Sequence, residues 1–272
     1  MKLSIIIPVA GNNHFRTRNF EQCLKAIAKQ DYKNYEIIVV EQSIDNRFYK
    51  SESKEYKLIQ IKDPQRRGFN LSWCRNVGAR AATGDKLVLM DADMVFEHNY
   101  FEAIASDKSP FAGGAFHYYW LRDEDPTLRL ITSWDFNSIY KEGSDNHLDK
   151  VFKFETFTNG CGYGAVLIFD KKWYFESFGG YCEDFFKYGW EDKAAIDVIK
   201  DLLEIKNDRE IPKIKYNVVH LGHSNKDYTN LRINEDLFES IKKMDKNNLI
   251  SLIKSSNIGD ITEPILVLNK CQ

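Results

Sequence analysis

Cysteine is scarce and unpatterned in this chain: five residues, Cys23, Cys74, Cys161, Cys182 and Cys271, odd in number, scattered, and without a Cys-x-x-Cys spacing. That excludes a disulfide framework and a cysteine zinc site as organising devices, and it fits a reducing compartment. Neither sign of charge dominates. With 38 Lys and Arg against 40 Asp and Glu, the formal charge is -2, so no global field draws the chain to nucleic acid or to an anionic membrane. Long apolar runs are missing too. Met1-Lys2 leads straight into Leu3-Ser4-Ile5-Ile6-Ile7, which is too short for a signal sequence and far short of a membrane span, so a cytoplasmic location is expected. There is no internal repeat and no low-complexity linker.

Aromatic residues, by contrast, are plentiful at 14%, with 18 Phe, 14 Tyr and 5 Trp. Rings of this kind line sugar- and base-binding clefts, although most of them fill cores. A chain of 272 residues buries enough surface for one large domain, or for one domain with an extension.

The first half alternates short apolar runs with helical spacing, the signature of strand-helix-strand units around a mostly parallel sheet. Leu3 to Val9 reads as a strand, and Phe20, Leu24, Ile27 and Ala28 as one stripe of a helix. Glu36 to Val40 is a second strand and Tyr56 to Ile61 a third. Trp73, Val77 and Ala81 mark a helix that ends at Thr83-Gly84, and Leu87 to Met90 is a fourth strand. Residues 111–160, with Gly113-Gly114, the string Phe116-His117-Tyr118-Tyr119-Trp120 and the polar stretch Lys141 to Lys150, predict irregular strands and mobile loops over a cleft. His117, Tyr119 and Trp120 are candidates for a lid. Gly160 to Phe169 reads as a further strand, Glu191 to Leu203 as a helix and Ile214 to Leu221 as the last strand. An amphipathic tail follows with the stripe Ile233, Leu237, Ile241 and Met244.

Asp91 and Asp93 directly follow the fourth strand. Side chains at i and i+2 of a strand point the same way, so two carboxylates delivered there can grip a hard divalent cation that bridges a diphosphate. Open α/β sheets bind ligands at the carboxyl ends of their strands. Gly189-Trp190-Glu191-Asp192 opens the late helix. A carboxylate in a helix's first turn lies near backbone N–H groups that favour its ionised form, which keeps it available as a base at neutral pH. His220 and His223 lie at the end of the last strand. The Gly222-His223 pair favours His223 as a ligand, and the apolar lead-in Val218-Val219 also permits His220.

In order along the chain, Ile5-Ile6-Ile7-Pro8-Val9, Val39-Val40-Glu41-Gln42-Ser43, Phe69-Asn70 with Arg75-Asn76-Val77-Gly78, Asp91-Ala92-Asp93, Gly189-Trp190-Glu191-Asp192 and His220-Leu221-Gly222-His223 carry a resemblance over residues 3–230. The sequence resembles nucleotide-sugar-dependent glycosyltransferases of the GT-A fold, the broad family 2 group and its galactosyltransferase-like relatives. The resemblance implies an α/β, Rossmann-like GT-A domain over residues 1–230, with a mostly parallel central sheet flanked by helices. A small C-terminal helical extension over residues 231–272 would pack on or beside it.

By the same resemblance the donor is a UDP-sugar. Pro8, Val9 and Ala10 would hold uracil and ribose through backbone groups, Glu41 or Gln42 would reach the base, and Phe69 would pack on the ring. Asn76 and Gly162 belong to the same nucleotide-sugar set, and the stretch Gly160-Cys161-Gly162-Tyr163-Gly164 would let the sugar approach backbone closely, with a bulge or tight turn as the alternative. Related galactosyltransferases carry a basic residue where Leu71 stands here, which leaves Arg66 or Arg67 to supply charge at the diphosphate. Asp93 would coordinate Mn²⁺ or Mg²⁺ directly, while Asp91, beside Ala92, would bind ribose or reach the metal through water. His223 or His220 would complete the metal shell. Asp192 would act as general base, Glu191 would orient donor or acceptor hydroxyls, and Trp190 would offer a stacking face. The departures from the family pattern lie at Leu71 and in the two glycines missing between Trp190 and the acids.

The function this implies is metal-dependent, inverting transfer of a hexose or N-acetylhexosamine to a glycan or lipid-linked acceptor in polysaccharide biosynthesis. A lipid-linked acceptor would bring the chain to the inner membrane surface as a peripheral protein. The alternatives are a retaining transferase or a nucleotidyltransferase on the same scaffold, or a non-catalytic sugar-binding module.

Overall fold

The computed structural model describes residues 1–10, 14–42, 55–122, 124–145, 150–155, 164–223 and 229–268. Runs of Ile, Val and Leu form strands β1 (Leu3–Ala10), β2 (Tyr35–Gln42), β3 (Lys57–Ile61) and β4 (Lys86–Met90). They lie parallel in the order β3-β2-β1-β4. Near-continuous apolar strands suit a sheet covered on both faces. Alternate residues serve the two covers: Ile6, Ile38, Val40, Leu87 and Leu89 join one core, and Ile5, Ile7, Val39 and Val88 the other.

Helix α1 (His14–Ala28) covers the second face through Phe20, Cys23 and Ile27. Helix α2 (Leu71–Ala81) covers the first through Trp73, Cys74 and Val77. The Asn70 side chain starts α2 by accepting from the Trp73 N–H at 2.8 Å, which satisfies a donor the helix itself cannot. Gly78 lets α2 press against β1, because a Cβ there would overlap the Ile6 side chain.

A second, smaller sheet brings the last strand to the Asp-x-Asp turn. Its order is β5 (Met94–Phe96), β10 (Asn217–His220), β7 (His117–Leu121) and β8 (Val151–Glu155). In its register His220 pairs with Met94 on one side and Trp120 on the other, so the end of β10 meets the residue next to Asp93. The main sheet continues from β4 through β9 (Val166–Asp170) and β6 (Phe111–Gly113), both joined antiparallel.

The expectation of irregular loops over residues 111–160 is corrected. Strands β6, β7 and β8 form there, along with helices α4 (Glu124–Ser133) and α5 (Phe136–Ser144), which follow α3 (Tyr100–Ser106). Asp135 starts α5 by accepting from the Ser138 N–H at 3.2 Å, and Leu130 and Ile139 anchor the pair in the core. The aromatic string is a strand rather than a lid, since Tyr118 and Tyr119 are buried within it.

After β9 the short helix α6 (Lys171–Trp173) runs into a π-helical turn, Tyr174–Phe178, and a long loop leads to α7 (Glu191–Leu202). The tail forms α8 (Leu231–Lys243) and α9 (Lys246–Ser255). The predicted stripe is shifted: Ile233 is 63% exposed, and Asn234, Phe238 and Ile241 face inward. Beyond α9 a strap crosses the loop before α7. Glu183 accepts from the Gly259 and Ile265 N–H groups at 2.6 and 2.7 Å, and Asp184 from Val267 and Leu268 at 2.9 and 3.1 Å. Phe238, Ile250, Ile258 and Val267 share one core with α2, so the C-terminal segment is built into the wall behind the acids of α7. No helix among the described residues is long and apolar enough to cross a membrane.

Candidate active site

Carboxyl ends of strands, two turns and one helix start converge here on two clusters of charge. In the first, Asp93 Oδ2 lies 3.0 Å from His223 Nε2 and 3.4 Å from His220 Nε2. The three side chains form a group able to hold one metal ion. Two features fit a cation: Asp93 Oδ1 and His223 Nδ1 are buried without a hydrogen-bond partner, and both imidazoles turn their Nε2 atoms to the same carboxylate. Burial works to raise the Asp93 carboxyl, and the His220 and His223 imidazoles overcome it, holding the group below the ordinary carboxylate value. One imidazole was the expectation and two are present. Nitrogen donors shift the preference from Mg²⁺, which keeps to oxygen and water, toward Mn²⁺. Tyr118 and Trp120 of β7 place their rings 6.1 and 5.6 Å from that of His220.

The second cluster surrounds Arg75, which is fully buried on α2. Its guanidinium forms an ion pair with Asp192, donates to the Gly164 carbonyl at 2.6 Å and lies 3.5 Å from Asp91. It also faces the Tyr181 ring at 5.0 Å. Gly164 is required where it stands, because a Cβ would overlap the Asp192 carboxylate. Two acids thus share one cation, with Glu191 beside them. Enclosure by the surrounding protein pushes the Asp91 carboxyl well above its ordinary value, and the charges of Asp93, Asp192 and Glu191 add to the push against Arg75. Burial and then the Asp192 charge raise Glu191 to about 7. At Glu191 loss of water outweighs the backbone N–H groups of the helix start that favour the ionised form.

On the nucleotide side, the register of β1 with β2 sets Val9 beside Glu41 and Ala10 beside Gln42 at one sheet edge. Pro8 and Val9 are buried and Ala10 is half-buried. Glu41 takes Gln60 Nε2 on one oxygen at 2.8 Å and leaves Oε1 buried without a partner. Gln42 has both ends engaged: it donates to the Gly68 carbonyl at 2.9 Å and accepts from the Asn70 N–H at 2.7 Å. It shapes the turn before α2, with its oxygen and one of its two N–H donors taken up there. Phe69 is half-buried against the α2 core, and Ala92 is half-buried in the turn between the two aspartates.

Other sequence expectations are not met. Asn76 is 1% exposed and fully engaged: it donates to the Tyr181 carbonyl and Glu183, and accepts from Tyr174 and the Tyr181 N–H. It ties α2 to the loop before α7 and faces no ligand. The Trp190 ring stacks on Phe238 of α8 at 5.0 Å, so α8 covers one of its two faces. Arg67 is held by Asp63 at 2.8 Å, and Arg66 is exposed with a left-handed backbone, φ 53°. Neither is paired with Asp91, Asp93 or Asp192; the arginine that meets two of these acids is Arg75. Gly162 lies outside the described residues. Arg75 carries no role of its own in the sequence reading, and Gly164 enters it only as the end of the Gly-rich stretch from Gly160, not as the seat of Asp192. The available signal was an Arg at a position of α2 whose neighbours, Trp73, Cys74 and Val77, are apolar.

No curated protein matches the chain significantly. Among solved structures, Staphylococcus aureus TarS in complex with UDP-GlcNAc is similar at 12% identity with a TM-score of 0.50, over 93% of this chain and 70% of that one. A mannosyltransferase from Pyrobaculum calidifontis, in complex with GDP-Man and Mn²⁺, aligns at 17% identity with a TM-score of 0.48. The alignment covers 90% of this chain, which spans 65% of the length of that protein. The family model described as glycosyl transferase family 2 matches residues 4–165, more than half of the sequence. The chain has the mixed α/β GT-A fold and belongs to glycosyl transferase family 2.

Proposed function

We propose that the chain is a Mn²⁺-dependent, inverting glycosyltransferase that moves a hexose or N-acetylhexosamine from a UDP-sugar to a glycan or lipid-linked acceptor. The observation that carries this reading is the convergence of four distant stretches: Asp93, His220 and His223 on one point, and Asp192 joined to Asp91 through a single guanidinium. Asp93, His220 and His223 would hold the cation. When bound, it would neutralise charge that accumulates on the departing diphosphate.

The end of β1 and the unpartnered Glu41 oxygen offer groups for the base and ribose. Arg75 takes Asp192 Oδ1 and keeps the carboxylate turned over the Gly164 backbone. Asp192 then accepts the proton of the acceptor hydroxyl as that oxygen attacks the anomeric carbon from the face opposite UDP, and an α-linked donor gives a β-linked product. Glu191, raised to about 7, keeps a proton over part of the neutral range and can donate to a sugar hydroxyl. Galactose-type donors are favoured by the likeness of the Trp-Glu-Asp and His-x-x-His segments to galactosyltransferases.

Turnover of an Asp192→Asn variant tests the base. UDP-sugar binding should survive while kcat falls about 10²- to 10⁴-fold, the range for loss of a general base. Proton NMR of the product then reads its anomeric configuration, and retention of the donor's α configuration would sink the inverting mechanism.

A further inference from the structure

We propose that Asn19 and Thr127 are positioning residues that lock the two-residue link between His220 and His223, setting both imidazoles before a divalent cation arrives. The inference rests on the reading of Asp93, His220 and His223 as the cation site. Strand β10 ends at His220, so Leu221 and Gly222 have no strand ladder to satisfy their backbone, yet both are buried. Buried backbone groups need partners. Here all four polar atoms of the link find one, from three different places in the chain.

The Leu221 N–H donates to the carbonyl of Asp93 at 2.9 Å, which ties the link to the backbone of the third ligand. The Gly222 N–H donates to Thr127 Oγ1 of α4 at 3.0 Å. Asn19 of α1 donates through Nδ2 to the Gly222 carbonyl at 3.1 Å and to the Leu221 carbonyl at 3.4 Å. Its orientation is fixed from behind, because Arg18 donates to Asn19 Oδ1 through Nε at 3.1 Å and Nη2 at 2.8 Å. Arg18 in turn forms an ion pair with Glu124 of α4, so the two helices that hold the link are joined to each other. Asn19 and Thr127 are both fully buried.

A glycine between two ligands would otherwise leave His223 free to swing, since Gly loses more backbone freedom on ordering than any other residue. The clamp spends that freedom on folding rather than on cation binding. Residues that support metal ligands from outside the coordination shell control affinity through the geometry they impose. A role confined to satisfying buried backbone would lower stability and leave cation affinity alone, and this difference separates the two roles.

The test is a Mn²⁺ titration by electron paramagnetic resonance, with UDP present, on the full chain and on the Thr127→Val, Thr127→Ser and Asn19→Leu variants, each with its melting temperature. Thr127→Val keeps the shape and loses the acceptor, whereas Thr127→Ser keeps the acceptor. Thr127→Val and Asn19→Leu should weaken Mn²⁺ binding about 10-fold or more while Thr127→Ser stays close to wild type, the order of loss known for outer-shell supports. If Asn19→Leu does not fold, the Thr127 pair decides. A folded Thr127→Val chain that binds Mn²⁺ as tightly as wild type overturns the clamp and leaves the cation site standing. A wild-type chain that binds no Mn²⁺ removes the cation site and the clamp with it.

Discussion

The two ends of the site settle their charge in opposite ways. At the Asp93 end one carboxylate faces two imidazoles, and the acid is held below its ordinary value. At the Arg75 end three carboxylates, Asp91, Glu191 and Asp192, crowd one guanidinium, and two of them are pushed up. An end with a held-down carboxylate and orphaned donor atoms is suited to a cation. An end with more carboxylates than positive charge is suited to taking up protons. In the proposed function cation binding falls to the strand ends and acid–base work to the start of α7.

Removing the one cation of the crowded end should break this contrast most severely. Arg75→Met leaves Asp91 and Asp192 without their partner; their side chains are 36% and 20% exposed, so water softens the loss below the about 3–5 kcal/mol of breaking a fully buried pair. Urea unfolding should show that loss, and it should grow from pH 5 to pH 8. The sign follows from Asp91: without Arg75, which pulls it down, its raised folded-state value rises further, so the folded chain holds a proton that the unfolded chain releases, and stability falls as pH rises. A loss independent of pH would mean that Arg75 acts through packing alone.

Gly164→Ala probes the same end by shape rather than charge. The added methyl would meet the Asp192 carboxylate and force it off Arg75. Overpacking of this kind costs about 1–3 kcal/mol, and kcat should fall more steeply than stability because the base itself is displaced. Steady-state kinetics beside a melting curve would separate the two effects. Equal kcat in the variant would show that the position of Asp192 over Gly164 does not matter to the reaction.

The smallest expected effect concerns the wall behind the acids. Burial raises Glu183 to about 7 despite the hydrogen bonds it accepts from Asn76, Ile265 and Gly259. A carboxyl raised in the folded state contributes stability that is present below its unfolded value and is lost as pH rises toward its folded one. Stability should therefore decline between about pH 4.5 and pH 7. In Glu183→Gln that decline should flatten, as thermal melts across the window would show, and an unchanged slope would assign it to other carboxyls.

Sequence legibility followed the same divide. The strands β1 to β4 and the Asp-x-Asp turn at their end are read from apolar runs and spacing, because buried parallel strands leave a local signature. The two histidines are also local, four residues apart including both ends, at the close of one strand. The other end is not local. Arg75 reaches Asp192 across 117 positions, and Trp190 is turned onto Phe238, a residue of α8 that the stripe leaves out although its Leu237, Ile241 and Met244 do pack on the core. Asn76 was assigned to the ligand from a motif, whereas its partners at Tyr174, Tyr181 and Glu183 make it a brace. Strands are expected beyond residue 111, but helices α4 and α5 are not read there, because polar residues dominate their sequence while single anchors such as Leu130 and Ile139 decide their packing.

Cation binding at the strand ends can be measured directly. A Mn²⁺ titration with UDP, followed by the loss of the free-ion resonance, should show one saturable site in the wild-type chain and none in an Asp93→Asn variant whose circular dichroism is unchanged. An Asp93→Asn chain that still takes up one Mn²⁺ would contradict the division of roles between the two ends.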